Sequence, residues 1–372
     1  MSVKFSKPNI FAKDLELVKK TIKSGWLTHG KNTAMFEEKF RNYTKSKYSV
    51  TVSSCTAALH LSCLALGIKT GDEVIVPAMS HTATSHAVEY TGAKAVFVDI
   101  DLATGNIDPE KISKKISKKT KAMIIVHMAG LVCKIDLIQK ICKKFKIKLI
   151  EDCAHSVGTK FNLTHAGNFG ISGCFSFYPT KQITTGEGGM LVTNNKNFYD
   201  KVRKLKAFGI DKDINQRKKQ GTYDVTSLGF NYRLTDFQSA LGLKQIEKYK
   251  ANLKKRHLIA KKYIKNLKNI KEIKCMPYST KCSFFVFQIF CKNRDKLLKK
   301  FKEKKIGVSI HYATPLPQMS YYKIKYNFKK VIFKNAKKYA DTNISLPVYP
   351  SLKLKELNKV VKVIKEFYGY KK

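Results

Sequence analysis

The sequence predicts an α/β fold: a mainly parallel, seven-stranded sheet flanked by helices, followed by a smaller C-terminal α/β domain. Three observations carry this. Between about residues 48 and 195, apolar runs of strand length alternate with helical patterns, as in chains built from βαβ units. The runs are apolar nearly throughout instead of alternating, which suits strands buried on both faces. From about Asp236 the pattern changes to long amphipathic stretches with few strands. The division expected is a large domain over residues 1–245 and a small one over 246–372, reasonable for a 372-residue chain.

In order, "YSVTVSS" from Tyr48 reads as the first strand, and "CTAALHLSCLALG" as a helix closed by Gly67. "DEVIVP", "KAVFVDID", "KAMIIVHMAG" and "IKLIEDCA" read as buried strands, with helical or loop segments between most of them. "CFSFYP" and "GGMLVTN" complete the seven. "DFQSALGLKQIEKYKANLKKRHLIAKKYIKNL" reads as one long amphipathic helix and as the joint between the domains. After it come a strand candidate "CSFFVFQIF", a Lys-rich helix, the segment "GVSIHY", and a C-terminal helix following "SLPVYPSL". No internal repeat and no Pro/Gly/Ser linker interrupts this order.

Composition narrows the function classes. An apolar fraction of 43% supports a real core, while the net charge of +45 raises nucleic acid or an anionic surface as a partner. Nucleic-acid binders cluster their charge and interleave aromatics. Here lysines run along most of the chain, as in "KISKKISKKTK" (Lys111–Lys121) and "KICKKFKIK" (Lys140–Lys148). The expectation is solvated helix faces, no specific nucleic-acid partner, and a diffuse field that attracts an anionic small substrate. The nine cysteines are scattered, without a CxxC pair or metal-ligand spacing. Cys55, Cys63 and Cys174 lie in apolar runs and read as small buried hydrophobes. No metal site and a reducing compartment are expected. The N-terminus lacks an apolar signal-peptide core. The longest uncharged stretch, Tyr48–Ile68, is broken by Ser, Thr and His60. A soluble, cytoplasmic chain with no membrane partner is expected.

Polar residues stand where a parallel sheet binds ligands, beyond the carboxyl ends of its strands. Asp152 follows "KLIE", His127 follows "AMIIV", and Lys181 follows "CFSFYPT". Ser54, Cys55 and Thr56 follow a strand and open a helix, whose free N–H groups suit an anion. From Phe161 to Asn195, Lys181 is the only Lys or Arg, where the chain average of 72 in 372 would place about seven. A lysine in an apolar, positively uncrowded pocket loses its proton more easily. The neutral amine is then a nucleophile toward a carbonyl. Spacing alone also fits a plain loop lysine between two core strands. Asp152 alone could be a helix cap, a salt-bridge partner or a metal ligand. Beside a Schiff-base lysine it gains a sharper reading, the carboxylate that keeps the ring nitrogen of pyridoxal 5'-phosphate (PLP) protonated. A phosphate loop "SSCTAAL", an acid at a strand end, and a lysine some thirty residues later make a coherent cofactor site, with the Ser176 hydroxyl nearby.

These residues carry a family resemblance. "EDCAHSVG", "FSFYPTKQITTGEGGMLVTNN" and "LGFNYRLTDFQSALGLKQIE" resemble the DegT-type sugar-nucleotide aminotransferases, PLP enzymes of fold type I. "SGWLTHG", "SSCTAALHLSCLALGIKTGDEVIVPAMSHTAT" and "GVSIHYATPLPQMSYY" extend it through almost the whole chain. The resemblance implies that Lys181 binds the cofactor and shuttles protons, and that Asp152 pairs with the pyridinium nitrogen. His155, where many members have Gln, would stand near the 3-hydroxyl; a satisfied core histidine is its other reading. His81 would replace an aromatic that stacks on the ring. Cys55 and Thr56 amides and the Ser176 hydroxyl would hold the phosphate. Asn231, in "FNYR", would reach the phosphate of a neighbouring subunit, giving a homodimer with shared sites. Trp26 and Thr28, with His29, would line the mouth, and His311 and Tyr312 would face the substrate; packing is the competing reading for Trp26, His311 and Tyr312. Gly186, Gly188 and Gly189 would shape the turn after Lys181, and Glu187 would be structural. His127 and Arg233 receive no role. The implied reaction moves an amine from glutamate to a nucleotide-linked keto sugar, with a 4-keto-6-deoxyhexose expected. A 3-keto sugar or a keto-cyclitol is the alternative acceptor. Lysine at 181 argues against the dehydratase branch, where histidine replaces it. A non-catalytic PLP-binding regulator and a basic nucleic-acid binder remain as other classes.

Overall fold

The protein is seen here as a computed structural model that describes residues 2–212, 219, 221–328 and 333–370. Seven strands make the central sheet: β1 (Tyr48–Val52), β2 (Glu73–Pro77), β3 (Lys94–Val98), β4 (Thr120–Val126), β5 (Lys148–Asp152), and, after the short hairpin β6 (Lys160–Phe161) and β7 (Thr164–His165), β8 (Ser172–Ser176) and β9 (Gly189–Thr193). Their spatial order is β1-β9-β8-β5-β4-β2-β3. The pairings from β8 to β3 are all parallel, and β9 runs antiparallel to both of its neighbours. The exception has a simple cause. Residues 177–188 form a return loop without a crossover helix, and a strand that returns directly must pair antiparallel.

The helix Cys55–Ala65 is apolar on nearly every side and is buried against β8 and β9. Gly189 permits that approach, because a Cβ there would lie 2.5 Å from the Ser54 carbonyl carbon and 2.7 Å from the Cys55 nitrogen. The far side of β8 packs on the helix Lys31–Thr44 through an aromatic cluster. Phe40 meets Phe175 at 5.0 Å and Phe177 at 5.6 Å between ring centroids, both edge to face, a favoured arrangement of ring quadrupoles. All nine cysteines are unpaired, and eight are buried. No helix among the described residues is long and apolar enough to cross a membrane.

The C-terminal part departs from expectation in three places. The single long helix is two, Asp236–Glu247 and Tyr249–Leu267, interrupted at Lys248. The first packs on the N-terminal helices Ala12–Lys23 and Lys31–Thr44, whereas the second packs on the C-terminal helix Leu354–Phe367. One straight rod cannot present its stripe to both surfaces. The strand candidate "CSFFVFQIF" shortens to β11 (Phe287–Cys291), flanked antiparallel by β10 (Ile273–Cys275) and β12 (Asn343–Leu346). Its first half leaves strand geometry at Phe284, whose φ of 44° is left-handed. "GVSIHY" contributes a single bridge, Ser309 to Ser345, and β12 comes from a stretch read as the approach to a helix.

The aromatic cluster gives a direct test of packing. Phe40→Ala removes a fully buried ring and is expected to cost ~3–5 kcal/mol, read as a lowered urea midpoint with an unchanged denaturant slope.

Candidate active site

β5 ends in two adjacent buried carboxylates, and strand alternation sends them to opposite faces. Glu151 turns away from the cavity. It accepts the amides of Gly167 (2.7 Å), Phe169 (2.7 Å) and Gly170 (2.8 Å), and the Nε2–H of His127 (3.0 Å). His127 accepts the Cys133 amide at Nδ1, which leaves its proton on Nε2 for Glu151. His127, Glu151 and Cys153 place potential metal-ligand atoms within 4.8 Å of one another. The mutual bond between His127 and Glu151, with the loop amides, explains that grouping as a structural knot.

Asp152 turns toward the cavity and is 4% exposed. Its Oδ2 accepts the Thr84 hydroxyl at 2.8 Å, and Thr84 is in turn 2.6 Å from Ser80 Oγ. Oδ1 accepts the Ala154 amide at 3.1 Å, with the Cys55 thiol 3.8 Å away. At the start of the helix Cys55–Ala65, Ser54 Oγ accepts the Ala57 amide. The Cys55 and Thr56 amides, in the first helical turn, have no intrahelical acceptor. Burial, then Asp152, keeps the Cys55 thiol protonated, and that thiol donates to the Cys174 carbonyl.

The loop between β8 and β9 holds Lys181 firmly. The Lys181 amide closes a turn onto the Tyr178 carbonyl at 2.9 Å. Its neighbour Gln182 donates to the His155 carbonyl at 2.6 Å and to Ser283 Oγ at 3.0 Å. Lys181 Nζ lies 4.4 Å from the centre of the Phe285 ring. Burial pushes the Lys181 amine down to about 8, against the opposing pull of Asp152 and Cys55. About a tenth of the amine is therefore neutral at pH 7, and about half near pH 8.

Cys55, Thr56, His81, Asp152, His155, Ser176, Lys181, His311 and Tyr312 all line one cavity of about 450 Å³. Its three histidines are neutral. Burial first, then the Lys181 charge, holds His155 well below its ordinary range and brings His311 to about 3. The same causes lower His81. His155 faces the Ala129 amide with Nδ1 (3.4 Å) and the Tyr312 hydroxyl with Nε2 (3.2 Å), so its proton sits on Nε2. It is thus both a satisfied core histidine and a cavity wall. His81 accepts the Ala83 amide and caps the helix Thr82–Glu89, a role absent from the sequence reading. Ser176 Oγ accepts the Tyr178 amide at 3.4 Å.

Three expected residues lie elsewhere. Trp26, 56% exposed, borders a separate cavity with Asn32 and Asp236. Thr28 bridges to Thr235. Asn231 is exposed and accepts a bond from Arg233 Nε at 2.9 Å. Within one chain none of the three borders the Lys181 cavity. Conversely, the sequence reading missed Phe285 and Thr84. Phe285 hides in an apolar run, and Thr84 is an ordinary helix residue until Asp152 is placed beside it. Glu187, read as structural, lies on the rim of the cavity.

A buried, easily deprotonated lysine that shares a cavity with an anchored carboxylate and free helix amides is an arrangement suited to a PLP-dependent transaminase. A model of the DegT/DnrJ/EryC1/StrS aminotransferase family matches residues 8–365, and the chain belongs to that family. It is 34% identical to GDP-perosamine synthase of Escherichia coli O157:H7, covering 98% of both chains. Its fold matches Helicobacter pylori PseC, an aminotransferase involved in pseudoaminic acid biosynthesis, with a TM-score of 0.93, 27% identity, and 99% and 100% of the two chains covered. It also matches the PMP form of a sugar aminotransferase from Streptococcus pneumoniae, with a TM-score of 0.92, 27% identity, and 99% and 98% covered. The cofactor is PLP, and the residues present fit it. Free helix amides beside a serine hydroxyl suit a phosphate, a buried carboxylate suits a pyridinium, and the Lys181 amine suits the aldehyde.

Two measurements probe this electrostatic arrangement. Glu151→Gln places an amide donor against loop amides and is expected to cost ~2–3 kcal/mol, seen as a lowered urea midpoint. Lys181 is protonated in both folded and unfolded chains below pH 8, where its burial is a full penalty. Between its folded value of about 8 and an ordinary lysine value of about 10.4, the unfolded chain binds more protons, so stability rises with pH. Cofactor-free Lys181→Met is therefore expected to be more stable than the parent at pH 7, by up to about 3 kcal/mol. That advantage shrinks as pH rises from 8 toward 10.

Proposed function

We propose that this enzyme transfers an amine from glutamate to the keto carbon of a nucleotide-linked sugar, a 4-keto-6-deoxyhexose in the first instance. The observation that carries the proposal is the Lys181 amine, half-neutral near pH 8, in the same cavity as Asp152 and the free Cys55–Thr56 amides. Bound PLP supplies an electron sink that stabilises negative charge beside the transferred nitrogen. Asp152 holds the proton on the ring nitrogen, and its two anchors, Thr84 and the Ala154 amide, keep it aimed there. The Cys55 and Thr56 amides and the Ser176 hydroxyl bind the phosphate. His155 offers Nε2–H toward the 3-hydroxyl, the hydrogen it now directs at Tyr312. His81 covers the ring. The Lys181 amine removes the proton from the carbon bearing the nitrogen and returns it, serving as base and acid in both halves.

His311 and Tyr312 bound the acceptor side of the cavity, and Trp26 and Thr28, which border no part of it within one chain, would serve the outer mouth from a second subunit. Asn231 completes the phosphate site of a second subunit, so the working unit is a homodimer. The name of the perosamine synthase supports a sugar joined to a nucleoside diphosphate. Glutamate rests on the sequence resemblance.

The test has two stages. PLP-loaded protein is mixed with glutamate and followed by its visible spectrum, with 2-oxoglutarate measured as product. It is then offered keto sugars on different nucleotides. Release of 2-oxoglutarate and amination of a 4-keto sugar nucleotide are expected, with both lowered at least ~100-fold in Lys181→Ala. A keto-cyclitol as sole acceptor overturns the substrate reading. PLP binding without amine transfer from any donor points to a catalytically silent regulator.

A further inference from the structure

We infer that Phe285 is a positioning residue of the transamination: its ring fixes where the Lys181 amine rests and shields it from water, and Arg256 holds that ring in place. The inference rests on the proposed role of Lys181. Phe285 is buried and its ring touches three groups of the site. It lies 4.4 Å from Lys181 Nζ, stacks on His155 at 4.3 Å and 18°, and meets His311 edge-on at 5.5 Å.

The backbone beneath the ring is unusual. Phe284 is left-handed, with φ 44°, a conformation costly for a bulky side chain. Arg256 sustains it. Its Nη1 donates to the carbonyls of Phe284 (3.0 Å), Phe285 (3.2 Å) and Val348 (2.7 Å). The guanidinium is buried, and no carboxylate among the described residues pairs with it. Burying such a charge on carbonyls alone is expensive, and here it locks three segments together. The Phe285 amide donates to the Ala129 carbonyl at 3.1 Å, next to the amide that faces His155 Nδ1.

An aromatic wall acts on an amine in two opposing ways. By excluding water it favours the neutral form, and by its π-face it favours the cation. A lysine that must alternate between base and acid is suited by a surface that tolerates both. The other titratable groups around Lys181 are Asp152 and Cys55, which favour the cation, the neutral histidines His81, His155 and His311, the hydroxyls of Tyr178 and Tyr312, and the Glu187 carboxylate on the cavity rim.

The test uses full-length protein freed of cofactor. PLP is added across a pH series, the adduct is trapped with borohydride, and its rate of formation at Lys181 is read by peptide mass spectrometry. The parent should show an inflection near pH 8. Phe285→Ala admits water and should move it up by about one unit. Phe285→Leu keeps an apolar wall without a π-face and should leave it at or below the parent value. Arg256→Lys should move it in the direction of Phe285→Ala. An inflection unmoved by Phe285→Ala, or moved equally by Phe285→Leu, overturns the inference while leaving the Lys181 assignment intact. Absence of adduct at Lys181 in the parent at every pH takes down both.

Discussion

The site depends on satisfying two neighbouring carboxylates that are taken out of water at the end of β5. Unpartnered buried charge is too costly to persist. Each acid therefore dictates its surroundings. Glu151 gathers three amides of one loop and His127 on one face of the sheet. Asp152 gathers Thr84 and its own turn on the other. Because the residues are adjacent, fixing one fixes the other's direction. The knot that looks like a metal site is thus the rear mounting of the carboxylate that faces the cavity.

The opposite wall is assembled by a second constraint, backbone that leaves regular geometry. Ala129 and Gly130 both have positive φ and face the left-handed Phe284. A side chain at Gly130 would collide with Ser283 Oγ at 2.3 Å. Ser283 and Gln182 both bond the His155 carbonyl. The loop of Lys181, the turn after β4 and the approach to β11 consequently form one hydrogen-bonded unit. The amine's environment is set by residues about a hundred positions away in sequence.

What the sequence reveals follows from this division. The strands of the central sheet are legible because they are buried on both faces and read as continuous apolar runs. The lysine is legible because its flanks are core and carry no competing charge. Asp152 is legible only in company: an acid at a strand end could be a cap, a salt-bridge partner or a metal ligand, and the lysine some thirty residues later singles out one reading. Phe285 and Thr84 are not legible, since neither an aromatic in an apolar run nor a threonine in a helix announces a neighbour. The interruption at Lys248 escapes for a similar reason, because "KQIEKYKANL" keeps helical spacing through it. Only the two surfaces on which the halves pack reveal the break.

The strand order carries a consequence for biosynthesis. β1 pairs only with β9, so the first strand to leave the ribosome waits for residues near 190 before it gains a neighbour. The helix Ala12–Lys23 waits longer, for its packing partner Asp236–Glu247. Such distant pairing makes folding slow and leaves apolar edges uncovered in the interim. The dense coat of lysines along the nascent chain carries one sign of charge throughout that interval, and like charge keeps half-finished chains apart.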